Sequence, residues 1–122
     1  MSGHAEALAE LADLLGVISH PDRLKLLLEL RSGRRDVASL TASCSLSQSR
    51  TSQHLSLLKA HHLVRAQRDG RRVYYSLVRS DFATWILDGL GFIGLQQELQ
   101  DSIRELRKSY SAPTPPRSSP RR

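Results

Sequence analysis

Gln48, Ser49, Ser52, Gln53 and Ser56 recur along one stretch of chain, and Thr51, His54, Leu55 and Leu58 stand between them. At 3.6 residues per turn the first set occupies one side of a helix and the second set the opposite side. The polar side carries short hydroxyl and amide groups, with Arg50 at its flank and no large apolar group at its centre. Such groups suit hydrogen bonding to a flat edge that offers donors and acceptors together. A Gln amide bonds two base-edge atoms of adenine at once, Ser reaches bases or phosphates without steric conflict, and Arg takes a phosphate or a guanine. An ordinary solvated helix face has a similar composition, so this face by itself leaves both readings open.

The segment just behind it separates the two. Arg65, Arg68, Arg71 and Arg72 cluster around one turn, with Asp69 as the only acid. Asp69-Gly70 between two alternating runs predicts a tight hairpin, because such turns need positive φ. A guanidinium meets phosphate through a planar fork. Tyr74 and Tyr75 alternate across the strand, so one packs on the core and the other presents its hydroxyl. A polar-faced helix followed by a basic hairpin is what a winged helix-turn-helix uses on double-stranded DNA. The helix enters the major groove and the hairpin grips the flanking backbone. The expected DNA-contacting residues are therefore Gln48, Ser49, Arg50, Ser52, Gln53 and Ser56 on the helix, and Arg68, Arg71 and Arg72 on the hairpin.

Other elements must hold these two in place. Leu8, Leu11, Leu14, Leu15 and Ile18 recur at helical spacing and predict an amphipathic first helix over Glu6 to Val17. Pro21 suits the first turn of a second helix. Leu24, Leu26, Leu27, Leu28 and Leu30 make it strongly apolar, and Gly33 marks its end. Asp36 is the expected N-cap of a short third helix through Val37, Leu40 and Cys44. Residues 43–47 form the turn, and Ser47 caps the reading helix, which runs to about His61. Strands are expected over Leu63 to Ala66 and Arg72 to Leu77, joined at Asp69-Gly70. A last helical stretch starts at Ser80 or Asp81 and continues to about Tyr110. Gly89, Gly91 and Gly94 each cost a helix interior roughly 1 kcal/mol relative to Ala, so a kink or short break is expected there. Beyond it Phe92, Leu95, Leu99, Ile103 and Leu106 recur at three- and four-residue steps. Residues 111–122 are Pro, Ser and Arg and predict a disordered basic tail. The expected fold is mainly α with a small β-hairpin (α+β), a winged helix-turn-helix over residues 1–110.

Composition agrees. With 122 residues the default is one domain, and a core of this size often gains by dimerisation. Eighteen Lys and Arg against twelve Asp and Glu give a formal net charge of +6, which favours polyanions and above all nucleic acid. A single Cys excludes an intrachain disulfide framework and suits a reducing, cytoplasmic setting. The N-terminus lacks the basic-then-apolar order of a signal peptide, and no apolar run approaches membrane-spanning length. His61 and His62 are adjacent at a helix end, His54 lies on the core side, and Cys44 reads as a buried structural thiol. None of these makes a metal set. Ser, His and Asp are present without anything that marks a nucleophile, and the Gly89 to Gly94 run lacks the preceding strand of a phosphate loop. No enzyme activity and no cofactor are expected.

Taken together, His20-Pro21-Asp22-Arg23-Leu24, Leu46-Ser47-Gln48, Ser52-Gln53-His54-Leu55, Leu63-Val64 and Gly70-Arg71-Arg72-Val73-Tyr74-Tyr75-Ser76-Leu77 resemble the ArsR/SmtB family of bacterial winged-helix transcriptional regulators. The resemblance covers roughly residues 15–77. It implies a homodimer joined through the first and last helices, here through Leu8, Leu11, Leu15, Trp85, Ile86, Leu90, Leu95, Leu99 and Ile103. It also implies an inverted-repeat operator and, usually, repression relieved by an inducer. At the inducer sites this chain departs from the family. Asp36 and Ala38 stand where many members carry a Cys-x-Cys pair in the third helix. Asp81-Phe82-Ala83 stands where others carry Asp-x-His on the last helix, and no His follows His62. Members that sense oxidants need two thiols per subunit, and Cys44 is alone. A sequence-specific dimeric repressor without a direct metal sensor is the leading expectation. The alternatives are a dimeric interaction protein answering to a regulatory protein partner, and an architectural protein that binds DNA by charge alone.

Overall fold

The computed structural model describes residues 3–93 and 97–111, in two compact units that divide between Ile86 and Leu87. In chain order the elements are α1 (Gly3–Ile18), α2 (Pro21–Glu29), β1 (Arg35–Asp36), α3 (Val37–Cys44), α4 (Gln48–Ala60), β2 (Val64–Asp69), β3 (Arg72–Leu77), α5 (Asp81–Gly89), a 3-10 turn (Leu90–Phe92) and α6 (Gln97–Ser111). Six helices with a small antiparallel sheet form a winged helix-turn-helix, as the sequence predicts.

Local chemistry sets each boundary. Pro21 opens α2, and the His20 ring caps it, with Nδ1 accepting the Asp22 N–H at 3.1 Å. The helix ends at Glu29, before Gly33, which takes φ 129° in the following turn. α3 closes on Ser45 in the left-handed region, and Leu46 N–H returns to Thr41 O at 3.2 Å. Ser47 Oγ then accepts Arg50 N–H at 3.1 Å, the N-cap expected for α4. Thr51 Oγ1 donates to Ser47 O at 2.9 Å and accepts from Thr41 Oγ1 at 2.9 Å, which ties α3 to α4 across their turn. α4 ends at Ala60, where the His61 ring lies 3.1 Å from Leu57 O and His62 adopts φ 61°.

The core of the first unit is aliphatic. Leu26, Leu27, Leu30, Leu40, Leu55, Leu58 and Val64 are fully buried, and Cys44 packs among them. Burial pushes the Cys44 thiol up, which keeps it protonated and inert.

The sheet has three strands in the order β1-β3-β2, not the two predicted. Arg35 pairs with Tyr75 and Asp36 with Tyr74. Two residues carry no periodicity, so β1 was invisible in the sequence. β2 runs on to Asp69, and Asp69 faces Arg72 in the ladder. The loop is therefore Gly70-Arg71 rather than Asp69-Gly70. Gly70 takes φ 66° at the first central position, as a type II′ turn requires.

In the second unit the glycine-rich segment interrupts the helix as expected. α5 stops at Gly89, the 3-10 turn follows, and α6 begins at Gln97. Ser111 closes α6 rather than opening a tail. Gly94, Leu95 and residues 112–122, which hold the expected disordered tail, lie outside the described residues. No helix among the described residues is long and apolar enough to cross a membrane.

Candidate nucleic-acid interface

The helical wheel of α4 is realised in three dimensions. Thr51, His54, Leu55 and Leu58 are buried, while Gln48, Ser49, Arg50, Ser52, Gln53 and Ser56 are exposed. Arg68, Arg71 and Arg72 are exposed on the β2–β3 wing. A cleft of about 510 Å³ opens between the two elements, with Gln48 and Ser52 on one wall, Arg71 and Arg72 on the other, and Asp36 and Tyr75 between. The fold thus joins two of the expected base readers to two of the expected phosphate binders in one groove. Ser49, Arg50, Gln53, Ser56 and Arg68 lie on the same elements outside this cleft.

The wing is braced electrostatically. Arg34 pairs with Asp69 at 3.1 Å and lays its guanidinium 4.1 Å over the Tyr74 ring. Arg72 reaches Asp36 at 3.4 Å. Arg68 and Arg71 make no hydrogen bond or ion pair among the described residues, so their charges are open to an anion. Arg35 is committed elsewhere: it pairs with Glu29 and donates to Ser39 and Ser43, fastening the end of α2 to α3. The parts played by Arg34 and Asp36 were missed in the sequence, because β1 brings both beside the wing.

A second cluster underlies the inner face of α4. Arg23 Nε donates to His54 Nδ1 at 3.2 Å, and Arg23 Nη1 donates to Val17 O at 2.7 Å. The His20 and His54 rings lie 4.7 Å apart. Burial, then His20 and Arg23, hold the His54 imidazole below its ordinary pKa. His54 lies on the core side as expected, and the hydrogen bond it accepts there comes from a residue 31 positions away. Ligand atoms of His20, Asp22 and His54 fall within 4.8 Å of one another, a grouping that no spacing in the sequence suggested. The hydrogen bonds work against a metal there. Each Nδ1 accepts an N–H, so each neutral ring carries its proton on Nε2. Coordination through Nε2 would move both protons and forfeit both bonds, beside the Arg23 cation.

The expected dimer residues divide. Leu8, Leu11, Leu15, Trp85 and Leu99 are exposed, Leu8 to 66%. Leu90 is half-buried, and Leu95 lies outside the described residues. Two others are engaged within the chain itself. Ile86 packs against the core of its own unit, and Ile103 is buried within the chain. A helix that is apolar over a wide arc has one side for its own core and another for a partner, and the sequence did not separate them. Phe92, not in the expected set, is 92% exposed.

Residues 20–66 match the model of the bacterial regulatory protein arsR family. The chain is 35% identical over 89 residues to the HTH-type transcriptional repressor SmtB of Mycobacterium tuberculosis, covering 73% of this chain and 66% of that protein. It is 32% identical over 91 residues to the biofilm growth-associated repressor of Xylella fastidiosa, covering 75% and 79%. Among solved structures, the homodimeric winged helix-turn-helix DNA-binding domain of Mb0332 from Mycobacterium bovis superposes with a TM-score of 0.65 and 26% identity, over 75% of this chain and 87% of that one. The motifs, the wing and these relatives agree: the chain belongs to the arsR family of bacterial regulatory proteins.

Proposed function

We propose that the protein is a cytoplasmic homodimeric transcriptional repressor that reads an inverted-repeat operator in double-stranded DNA. The observation that carries this reading is the shared cleft. Gln48 and Ser52 face it from α4, and Arg71 and Arg72 face it from the wing. Base-edge donors and acceptors specify sequence, and guanidinium groups position the backbone. Two copies are needed because one α4 reads only a half-site, and a two-fold dimer presents two of them about one helical turn apart. Leu8, Leu11 and Leu15 on α1, Trp85 on α5 and Leu99 on α6 supply exposed apolar surface for that contact. At about 25 cal/mol per Å² several such side chains per subunit outweigh the entropy of association. The inducing signal enters by a route other than the two metal positions, since Asp36, Ala38 and Ala83 carry no thiol or imidazole there.

Selection of bound sequences from random duplexes tests the reading. Recovery of an inverted repeat supports it. Binding without enrichment would favour charge-driven architectural binding, and absence of binding would favour a protein partner as the primary target.

A further inference from the structure

Among the described residues, Asp36 is the only acid that lines the cleft between α4 and the wing. Its place at the head of α3 is that of an N-cap, and Asp is a favoured residue there because its carboxylate bonds the free N–H groups of the first turn. The Asp36 side chain makes no such bond. Its Oδ2 instead lies 3.4 Å from Arg72 Nη1. Backbone pairing of Asp36 with Tyr74 fixes the carboxylate at this point on the sheet. The Asp36 side chain is 14% exposed and that of Arg72 is 68% exposed. The acid is therefore the fixed member of the pair, and the arginine is the member free to leave.

We propose that Asp36 is a positioning residue for DNA binding, which orients Arg72 in the cleft and cancels its charge there. The inference rests on the reading of the cleft as the DNA interface. A fixed carboxylate in a groove that receives phosphates acts in two ways. It holds the long Arg72 side chain in one orientation before DNA arrives. It also makes the pair neutral, so the two together add no net counterion release, and Asp36 without Arg72 would subtract from that of the other arginines. Arg68 and Arg71, which make no ion pair among the described residues, keep their full electrostatic pull. Binding at the cleft wall then depends more on the base-edge contacts of Gln48 and Ser52 than on the number of arginines in the wing. The cap geometry and the pairing point the same way: an acid that makes no cap bond pairs with one of the two wing arginines that line the groove.

The test measures affinity for a random duplex and for the selected site across a salt series, using the full chain. Asp36→Asn keeps the shape and removes the charge. Random-duplex affinity should rise several-fold at low salt, and the slope of log affinity against log salt should steepen by about one. Arg72→Ala should flatten the slope by about one. Asp36→Asn combined with Arg72→Ala should restore the wild-type slope, because the cleft is then neutral again. A purely structural Asp36 would lower the melting temperature and leave the slope alone. Asp36→Ser, which can cap α3, guards against that reading and should steepen the slope like Asn. Folded Asp36→Asn and Asp36→Ser proteins that bound random duplex no more tightly, with unchanged slopes, would overturn the proposal while leaving the DNA-binding reading intact. A wild-type chain that bound no duplex would overturn both.

Discussion

Thr51 is buried to zero exposure in α4, and its hydroxyl links α3 to α4. It donates to Ser47 O and accepts from Thr41 Oγ1, both at 2.9 Å. Thr51→Val removes the hydroxyl and keeps the branched shape. The cost follows from who is left without a partner. Ser47 O still accepts Thr51 N–H at 3.0 Å, so it is not orphaned. Thr41 is half-buried, and its hydroxyl can turn to water. The loss is therefore that of ordinary hydrogen bonds, about 0.5–1.5 kcal/mol, and not the larger penalty of an unsatisfied buried group. Thr51→Ser keeps both bonds and loses a fully buried methyl, which costs about 1 kcal/mol from transfer and the small void.

The two substitutions thus give similar losses for different reasons, and a partner change separates them. Thr41→Val and Thr51→Val act on the same bond, so the double variant should cost less than the sum of the singles by at least about 0.5 kcal/mol. Thr41→Val and Thr51→Ser should be close to additive, because Thr51→Ser loses only a methyl and leaves in place the bond that Thr41→Val removes. Urea unfolding followed by circular dichroism gives each value. Strict additivity of Thr41→Val and Thr51→Val, with unchanged denaturant slopes, would refute the claim that this hydroxyl relay joins the two helices.

Four further outcomes are expected. Acidification should destabilise the fold: the His54 pKa is lowered by burial, His20 and Arg23, so the unfolded chain binds the proton more readily, stability is full above about pH 6.5 and is lost as pH falls through the folded value. Denaturant midpoints between pH 8 and pH 5 check this, and His54→Gln should flatten the profile. Gln53→Ala should weaken the selected DNA site by roughly 1–3 kcal/mol with little effect on random duplex, whereas Arg72→Ala should weaken both; identical profiles would show that readout and grip are not divided between helix and wing. Leu11→Lys together with Trp85→Lys should give a monomer in light scattering at micromolar concentration, where the wild type should be a dimer. Calorimetric titration with zinc, nickel or cobalt should reveal no stoichiometric submicromolar site that shifts operator affinity tenfold, because the two imidazoles of the His20 cluster are held in the wrong tautomers.

The legible parts of the sequence were those where a local rule acts alone. Ser47 as the cap of α4, Gly70 in the wing turn and the inward set Thr51, His54, Leu55 and Leu58 all follow from period or from the φ that a turn demands. What escaped was set by contact between distant segments. β1 is two residues long and exists only because β3 offers an edge to pair with. His20 caps α2 through a ring nitrogen and sets its ring at a tilt beside that of His54, a pairing that neither segment encodes by itself.

Asp36 shows where the two kinds of reading part. From the sequence it is an N-cap, and the position is right: α3 begins at Val37. The side chain nevertheless turns to Arg72, because β1 places it on the sheet beside the wing before it can serve the helix. An exposed N-cap contributes typically about 1 kcal/mol, and an ion pair with one exposed partner adds about as little. Stability alone therefore does not favour one orientation strongly, and a small change in the surroundings decides it. The same carboxylate also acts on a polyanion entering the cleft, since each net charge changes counterion release on every duplex and does so whatever the sequence. A residue that is nearly neutral for the fold can in this way set the strength of the wing's grip. The proposed role of Asp36 therefore belongs to the interface and not to the helix it begins.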